Sequence, residues 1–297
     1  MLIDRQLMMA FESFLGDIRK AIEDNAPELL SLFDIYAAEA LFGRRYIDSD
    51  LRDLPSGAKI LEVGAGALLL SCQLAREGFQ VSALEPIGDG FSHFDKMRQI
   101  VLKEACLKGG LPTVINQYAE TLEVNNFFDY AFSVNVMEHV NNVECVLEKV
   151  VMSLKAGSKY RFTCANYIFP YEPHFNIPTL FSKSLTEKLF YKKIFNSQKV
   201  PDPIGTWSSL NWINVLKVKQ SIRRISLAKV IFNNKIFVAA AERVLTDQEF
   251  SARRSTFVRN SLLCMVRLRL HYLFGFVPAL FLPLMDCTIK KSCSEVN

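Results

Sequence analysis

The run Ile60-Leu61-Glu62-Val63-Gly64-Ala65-Gly66 constrains this chain more than any other segment. An apolar stretch that breaks into two alternating glycines and resumes as a helical pattern over 67–77 reads as buried strand, tight turn and helix. The glycines reach backbone angles closed to other residues, and their missing Cβ atoms let a ligand approach the main chain. The helix start behind them leaves free N–H groups beside that ligand. Glu85 stands twenty-one residues after Gly64, at the end of the next apolar run. A carboxylate there can accept both hydroxyls of a ribose.

The same alternation continues downstream and predicts βα units around a mostly parallel sheet. Strands are expected at Ala58–Val63, Phe79–Leu84, Thr113–Gln117, Tyr130–Val134 and Lys159–Ala165. Gly78 is expected to close the helix after the first strand, and Gly157 a helix over Val143–Leu154. Two amphipathic helices precede the sheet, Asp4–Glu23 and one capped by Asn25 with Pro27 and Glu28 in its first turn. Their apolar stripes are Phe11, Phe14, Leu15, Ile18 and Leu29, Leu30, Phe33, Tyr36. The organisation expected is an N-terminal helical cover over 1–50, a core domain over 51–245 with an acceptor insertion at 166–207, and a basic, apolar extension over 246–297.

A dinucleotide fingerprint would place a third glycine where this sequence has Leu69. The Glu-x-Gly-x-Gly turn instead resembles the first motif of class I S-adenosylmethionine-dependent methyltransferases. The resemblance runs in order through Glu85-Pro86, Tyr118-Ala119-Glu120, the fourth-strand segment Phe128–His139, and Leu154-Lys155-Ala156-Gly157-Ser158. The fourth-strand segment is similar to that of the small-molecule, ubiquinone-biosynthesis type. The resemblance implies a doubly wound, Rossmann-like α/β fold with seven strands, N-terminal helices and a C-terminal apolar helical extension. It implies S-adenosyl-L-methionine as cofactor, held by Glu62, Gly64, Ala65, Gly66, Glu85, Pro86, Ala119, Glu120, Asn135 and Met137. Leu68 departs from the family pattern, which has a small residue there.

In-line methyl transfer needs positioning rather than a metal. With no Cys or His pair at ligand spacing, no metal is expected. After the fifth strand the chain becomes proline- and aromatic-rich, from Asn166 to Pro178. Within it His174 and Glu172 are the candidate catalytic pair for an O-methylation, with Tyr167, Tyr171 and Phe175 lining the pocket; a packed surface loop is the plainer alternative. The seven cysteines are scattered and odd in number, which reads as reduced thiols.

Charge is divided along the chain. Residues 1–150 hold 13 Lys+Arg against 23 Asp+Glu, and 151–297 hold 22 against 8, or net −10 and +14. A basic second half fits an anionic acceptor or an anionic surface. Residues 260–285 are strongly apolar, but the stretch free of charge is too short to span a bilayer and carries Pro278 and Pro283. Peripheral membrane contact through 256–291 is expected, with a cytoplasmic protein at the inner face of the membrane, since 1–20 lacks a signal peptide's uninterrupted apolar core. The acceptor is expected to be a small or lipid-linked molecule of saccharide or isoprenoid type. Two alternatives stay open: a nucleic-acid methyltransferase, which the missing Asp/Asn-Pro-Pro-Tyr motif disfavours, and a non-catalytic cofactor-binding scaffold. The oligomeric state is not legible.

Overall fold

The apolar run ahead of the glycine turn forms strand β1 (Lys59–Val63), flanked in parallel by β2 (Gln80–Leu84) and β4 (Phe128–Val134), with β3 (Thr113–Ile115) outside β2. These strands read as near-continuous apolar runs because both faces of a parallel sheet are covered. Ile60, Leu61, Ala83, Tyr130, Ala131 and Phe132 are all buried. The computed structural model describes residues 5–86, 92–180, 182–198, 200 and 202–293. The chain divides into two units, Met1–Ser133 with Met152–Ser158, and Val134–Val151 with Lys159–Asn297.

In the first unit α1 (Arg5–Asn25) buries the expected stripe of Phe11, Phe14, Leu15 and Ile18. It packs on α2 (Leu30–Leu51) and α4 (Ser92–Lys108), while α2 lies on α3 (Leu69–Arg76). The expected start at Asp4 lies outside the described residues. Asn25 does not cap the second helix: it ends α1, and its side chain donates to Ala21 O at 2.7 Å. Of the second stripe only Phe33 is fully buried; α2 seals itself further along, through Ala40, Tyr46, Ile47 and Leu51. Buried Arg44 bonds both Glu77, at the end of α3, and Asp48, which locks α2 onto α3. The N-terminal helices thus pack on the helices outside the sheet.

The second unit carries α5 (Val143–Ser153), β5 (Leu154–Ala165), α6 (Lys183–Phe195), α7 (Pro203–Ser209), α8 (Val215–Arg224), β6 (Ala228–Phe232), α9 (Ile236–Thr246), α10 (Gln248–Ala252), α11 (Thr256–Arg267) and β7 (Leu284–Lys291). The seven strands lie in the order β3-β2-β1-β4-β5-β7-β6. Gly157 does not end α5. The amides of Asn126 and Phe127 take the Met152 and Ser153 carbonyls at 3.0 and 2.8 Å, so the helix gives way at once to β5, in which Gly157 sits at φ 78°.

The largest departure from expectation is β7. Residues expected to form an apolar helical extension outside a core complete by Val244 instead supply an inner strand, antiparallel to both β5 and β6. The reason is a buried pair. Asp286, 1% exposed, meets Arg161 of β5 through two bonds of 3.0 and 2.8 Å. Lys291, expected at a lipid surface, is buried in β7. Among the described residues no helix is long and apolar enough to cross a membrane.

Candidate functional site

The turn after β1 is built as its sequence requires. Gly64 and Gly66 take φ of 74° and 50°. The amides of Gly64 and Ala65 both donate to Leu84 O, at 2.8 and 3.3 Å, which draws the turn against the end of β2. Glu85 follows directly. Its Oε2 accepts Gly66 N–H at 2.9 Å, and its Oε1 stands 3.3 Å from the Arg98 guanidinium, whose Nε donates to Gly66 O at 2.7 Å. Arg98, on α4, was not anticipated, because no motif marks it.

Glu62 is buried at the end of β1 and accepts the Ser71 hydroxyl. Burial pushes its carboxyl up to about 8, and the nearby Glu85 adds to the rise while the Ser71 bond opposes it. Burial likewise raises Glu85, against the pull of Gly66 N–H and Arg98. Leu68 adopts a left-handed conformation, φ 66°, with its side chain fully buried. The backbone therefore needs the angle that a glycine gives freely, and holds a leucine there for its packing. Glu85 N–H donates to Ile115 O at 3.0 Å, so β3 ends beside Glu85, and the 3₁₀ turn Ala119–Thr121 follows it. Ala119 is buried, while Glu120 and Pro86 are half-buried.

Asn135 and Met137 belong to the second unit. Asn135 takes φ 55° and donates its amide to Thr163 O at 2.8 Å; Met137 is fully buried. The next two residues form a site that sequence reasoning passed over. Asn211 straps the segment, its Nδ2 donating to Met137 O and Val140 O at 2.8 Å each and its amide to Glu138 O at 2.9 Å. This presents Glu138 and His139 to His174. The two imidazoles meet edge to face with centroids 5.2 Å apart. His139 Nδ1 lies 2.8 Å from Ser209 Oγ, and His174 Nδ1 lies 2.6 Å from Glu172 Oε1.

Glu172 is the hub of this cluster. Fully buried, it also accepts the amides of His174 and Phe175 at 3.1 and 2.7 Å and the Tyr167 hydroxyl at 3.3 Å. Tyr167 in turn stacks on Trp212 at 4.5 Å. Burial would raise the Glu172 carboxyl, but His174 and the two amides outweigh it and hold it low. Burial opposes charge on His174 too, yet Glu172 prevails and raises it. His139, deprived of water and next to His174, is pushed down to about 3. Burial lifts Glu138 to about 7, and its Oε2 is buried with no hydrogen-bond partner.

The ligand atoms of Glu138, His139 and His174 lie within 4.8 Å of one another, an arrangement that can take a proton or a divalent cation. The adjacent acid and imidazole straight after a strand end were the signal available in the sequence.

No family model matches the chain. The ubiquinone biosynthesis O-methyltransferase of Rattus norvegicus is 30% identical over 115 residues, 37% of this chain and 32% of that one. Among solved structures, Haemonchus contortus phosphoethanolamine N-methyltransferase 2, in complex with phosphomonomethylethanolamine and S-adenosylhomocysteine, superposes with a TM-score of 0.50 at 18% identity, covering 85% of this chain and 53% of that one. Strand order, glycine turn and these likenesses make this a chain of the class I S-adenosylmethionine-dependent methyltransferase fold. It is 45% identical over 280 residues, 94% of each chain, to the uncharacterized protein Rv1509 of Mycobacterium tuberculosis. The chain belongs to that protein's family.

Proposed function

We propose that the chain binds S-adenosyl-L-methionine in its first unit and methylates a hydroxyl of a small or lipid-linked acceptor. The observation that carries this is the paired acids at the glycine turn. Glu62 is buried, has no cationic partner among the described residues, and is raised to about 8. A cationic amino-acid group satisfies it directly. Glu85 fits a ribose, since a carboxylate with one oxygen on Gly66 N–H retains acceptor capacity for two hydroxyls. Gly64, Ala65, Gly66 and Pro86 would surround the amino-acid and ribose portions, and Ala119 and Glu120 the base. Asn135 and Met137, the remaining cofactor residues expected from the sequence, lie in the second unit.

The cofactor supplies a methyl group already activated on a sulfonium. The protein's part is to align an acceptor oxygen, exclude water and take one proton. His174 is placed to take it. Its Nδ1 faces Glu172, which fixes the tautomer and leaves Nε2 for the acceptor hydroxyl. With the cofactor bound, His174 would accept the proton that the acceptor oxygen gives up on taking the methyl, and Glu172 would hold the resulting imidazolium. Because Glu172 raises His174, turnover should climb with pH through a value above the ordinary histidine range.

A second reading of the same cluster has its own support: the partnerless Oε2 of Glu138 beside two imidazoles suits a cation that polarises the acceptor hydroxyl. Loss of turnover on chelation would select it. The basic second half suits an acceptor carrying phosphate or carboxylate, and peripheral contact at the inner face of the cytoplasmic membrane through 256–291 suits a lipid-linked one.

Calorimetric titration with S-adenosylmethionine and S-adenosylhomocysteine tests the foundation, and no affinity for either would end the enzymatic reading. Incubation of membrane and soluble extracts with methyl-labelled cofactor then identifies the acceptor.

A further inference from the structure

The segment from α11 to β7 sorts its side chains in a way that neither packing nor cofactor chemistry uses. Buried His271 anchors it, with Nε2 3.2 Å from Glu242 Oε1; the hydroxyl of exposed Tyr272 reaches the same oxygen at 3.1 Å, and Phe274 packs on Phe237 with centroids 4.8 Å apart. Ala279 and Leu282 are buried. With the backbone pinned by these contacts, the residues between them are held outward. Phe257 is 81% and Phe276 86% exposed, and Leu268, Leu270, Leu273 and Phe281 join them at the surface. Arg267 and Arg269 are exposed within the same run, and among the described residues neither has an ion pair.

Charge selects the partner. Between Arg253 and Cys293 the single acid is Asp286, buried and committed to Arg161. A surface pocket of about 330 Å³ is lined by Asn260, Leu263, Cys264, Arg267 and Leu268, a mostly apolar set that includes one guanidinium. Exposed aromatics and leucines interleaved with arginines, on short turns broken by Pro278, match the interfacial zone of a bilayer rather than its interior.

This face is also tied to the proposed acceptor loop. Asn176 Nδ2 donates to Arg253 O, and its Oδ1 accepts Ser255 N–H, both at 3.0 Å. Ser255 caps α11, accepting Val258 N–H. The Tyr171 hydroxyl donates to the same Oδ1 at 2.7 Å, three residues before His174. Movement at the start of α11 therefore reaches the loop of Glu172 and His174 through one side chain.

We propose that the outward face of residues 257–281 docks on an anionic phospholipid surface and that Asn176 transmits docking to the loop 171–177. This narrows the membrane contact proposed above, since β7 lies in the sheet and takes no part. It is independent of methyl transfer, because docking is measured without cofactor or acceptor.

The test sediments the full-length protein with vesicles of phosphatidylcholine alone and of equal phosphatidylcholine and phosphatidylglycerol. Binding is expected to the second only, and to weaken with salt. Replacing both exposed arginines, Arg267→Gln with Arg269→Gln, should weaken it about 25-fold, at roughly 1 kcal/mol for each. Phe257→Ser with Phe276→Ser should weaken it further still. These side chains are exposed, so unchanged circular dichroism is expected to accompany both losses.

Amide hydrogen exchange over 171–177 should slow on vesicle addition in the native chain and not in Asn176→Ala. Equal binding to both vesicles, no binding, or dimerisation abolished by the same serine changes would overturn docking. Exchange indifferent to vesicles would overturn the link.

Discussion

The first unit buries a pair of acids, Glu62 and Glu85, and the second buries Glu172, and the environments are opposite. In the first unit Glu85 stands close enough to raise Glu62, with the Ser71 hydroxyl and amide as donors for Glu62 and one amide and a guanidinium for Glu85. In the second, Glu172 collects two amides, an imidazole and a phenol and is held low. A saturated carboxylate is a piece of architecture: it organises what surrounds it. An under-supplied one is stabilised only when a ligand arrives with the missing donors. Under the proposed function the first pair is the receptor for the cofactor and Glu172 a positioning group, and the difference can be attacked at each acid in turn.

The largest effect is expected at Glu172. Glu172→Ala strands an imidazole, two amides and a phenol in a dry interior, and breaking a buried pair of this kind costs about 3–5 kcal/mol. Urea unfolding of the two proteins measures it, and a loss below about 1 kcal/mol would show that Glu172 is not the hub described. Glu85→Ala gives up a pair with the buried Arg98 and so also costs stability, but less than Glu172→Ala, and its main effect should fall on the ligand. Two lost hydroxyl bonds to a charged group are worth about 3 kcal/mol, or roughly 100-fold in affinity for S-adenosylhomocysteine by calorimetry. If the order were reversed, with Glu85 the more destabilising and Glu172 the more damaging to cofactor affinity, the contrast between receptor and scaffold would fall.

Leu68 sharpens the same contrast within the receptor. A leucine in left-handed conformation stores roughly 1–2 kcal/mol, while emptying a fully buried leucine site costs about 3–5 kcal/mol. Leu68→Gly should therefore destabilise by about 2 kcal/mol in thermal or urea unfolding. A stabilised variant would mean that the backbone, and not the packing, sets this position.

What could be seen in advance follows the same division. The glycine turn, Glu62 and Glu85 are separated by one βα unit, and the periodicity of that unit fixes their relation before any tertiary contact forms. The cluster around Glu172 draws on residues 138–139, 167–175 and 209, which meet only when β4, the loop after β5 and α7 have packed. Nothing in local spacing announces that. β7 was obscured for a related reason. Residues 272–285 are apolar and interrupted by prolines, a pattern shared by a surface anchor and by an inner strand entered through turns. The deciding interaction, Arg161 with Asp286, joins residues 125 apart.

The effect most specific to the receptor reading is a pH slope. Glu62 is raised to about 8 in the folded protein and titrates near 4.5 when unfolded. Between those values the folded state binds the extra proton, so this group's contribution to stability is greatest below 4.5 and declines as pH rises toward 8. The decline is at most about 1.4 kcal/mol per pH unit, the value for one proton. Glu62→Gln keeps the shape without the titration. Its urea stability should lose that slope and exceed the native protein's near pH 8, while its affinity for a cofactor bearing a cationic amine falls. Saturating cofactor should flatten the native slope as well, because the cation replaces the proton. A native protein whose slope is the same with and without cofactor would show that Glu62 does not meet the ligand's charge.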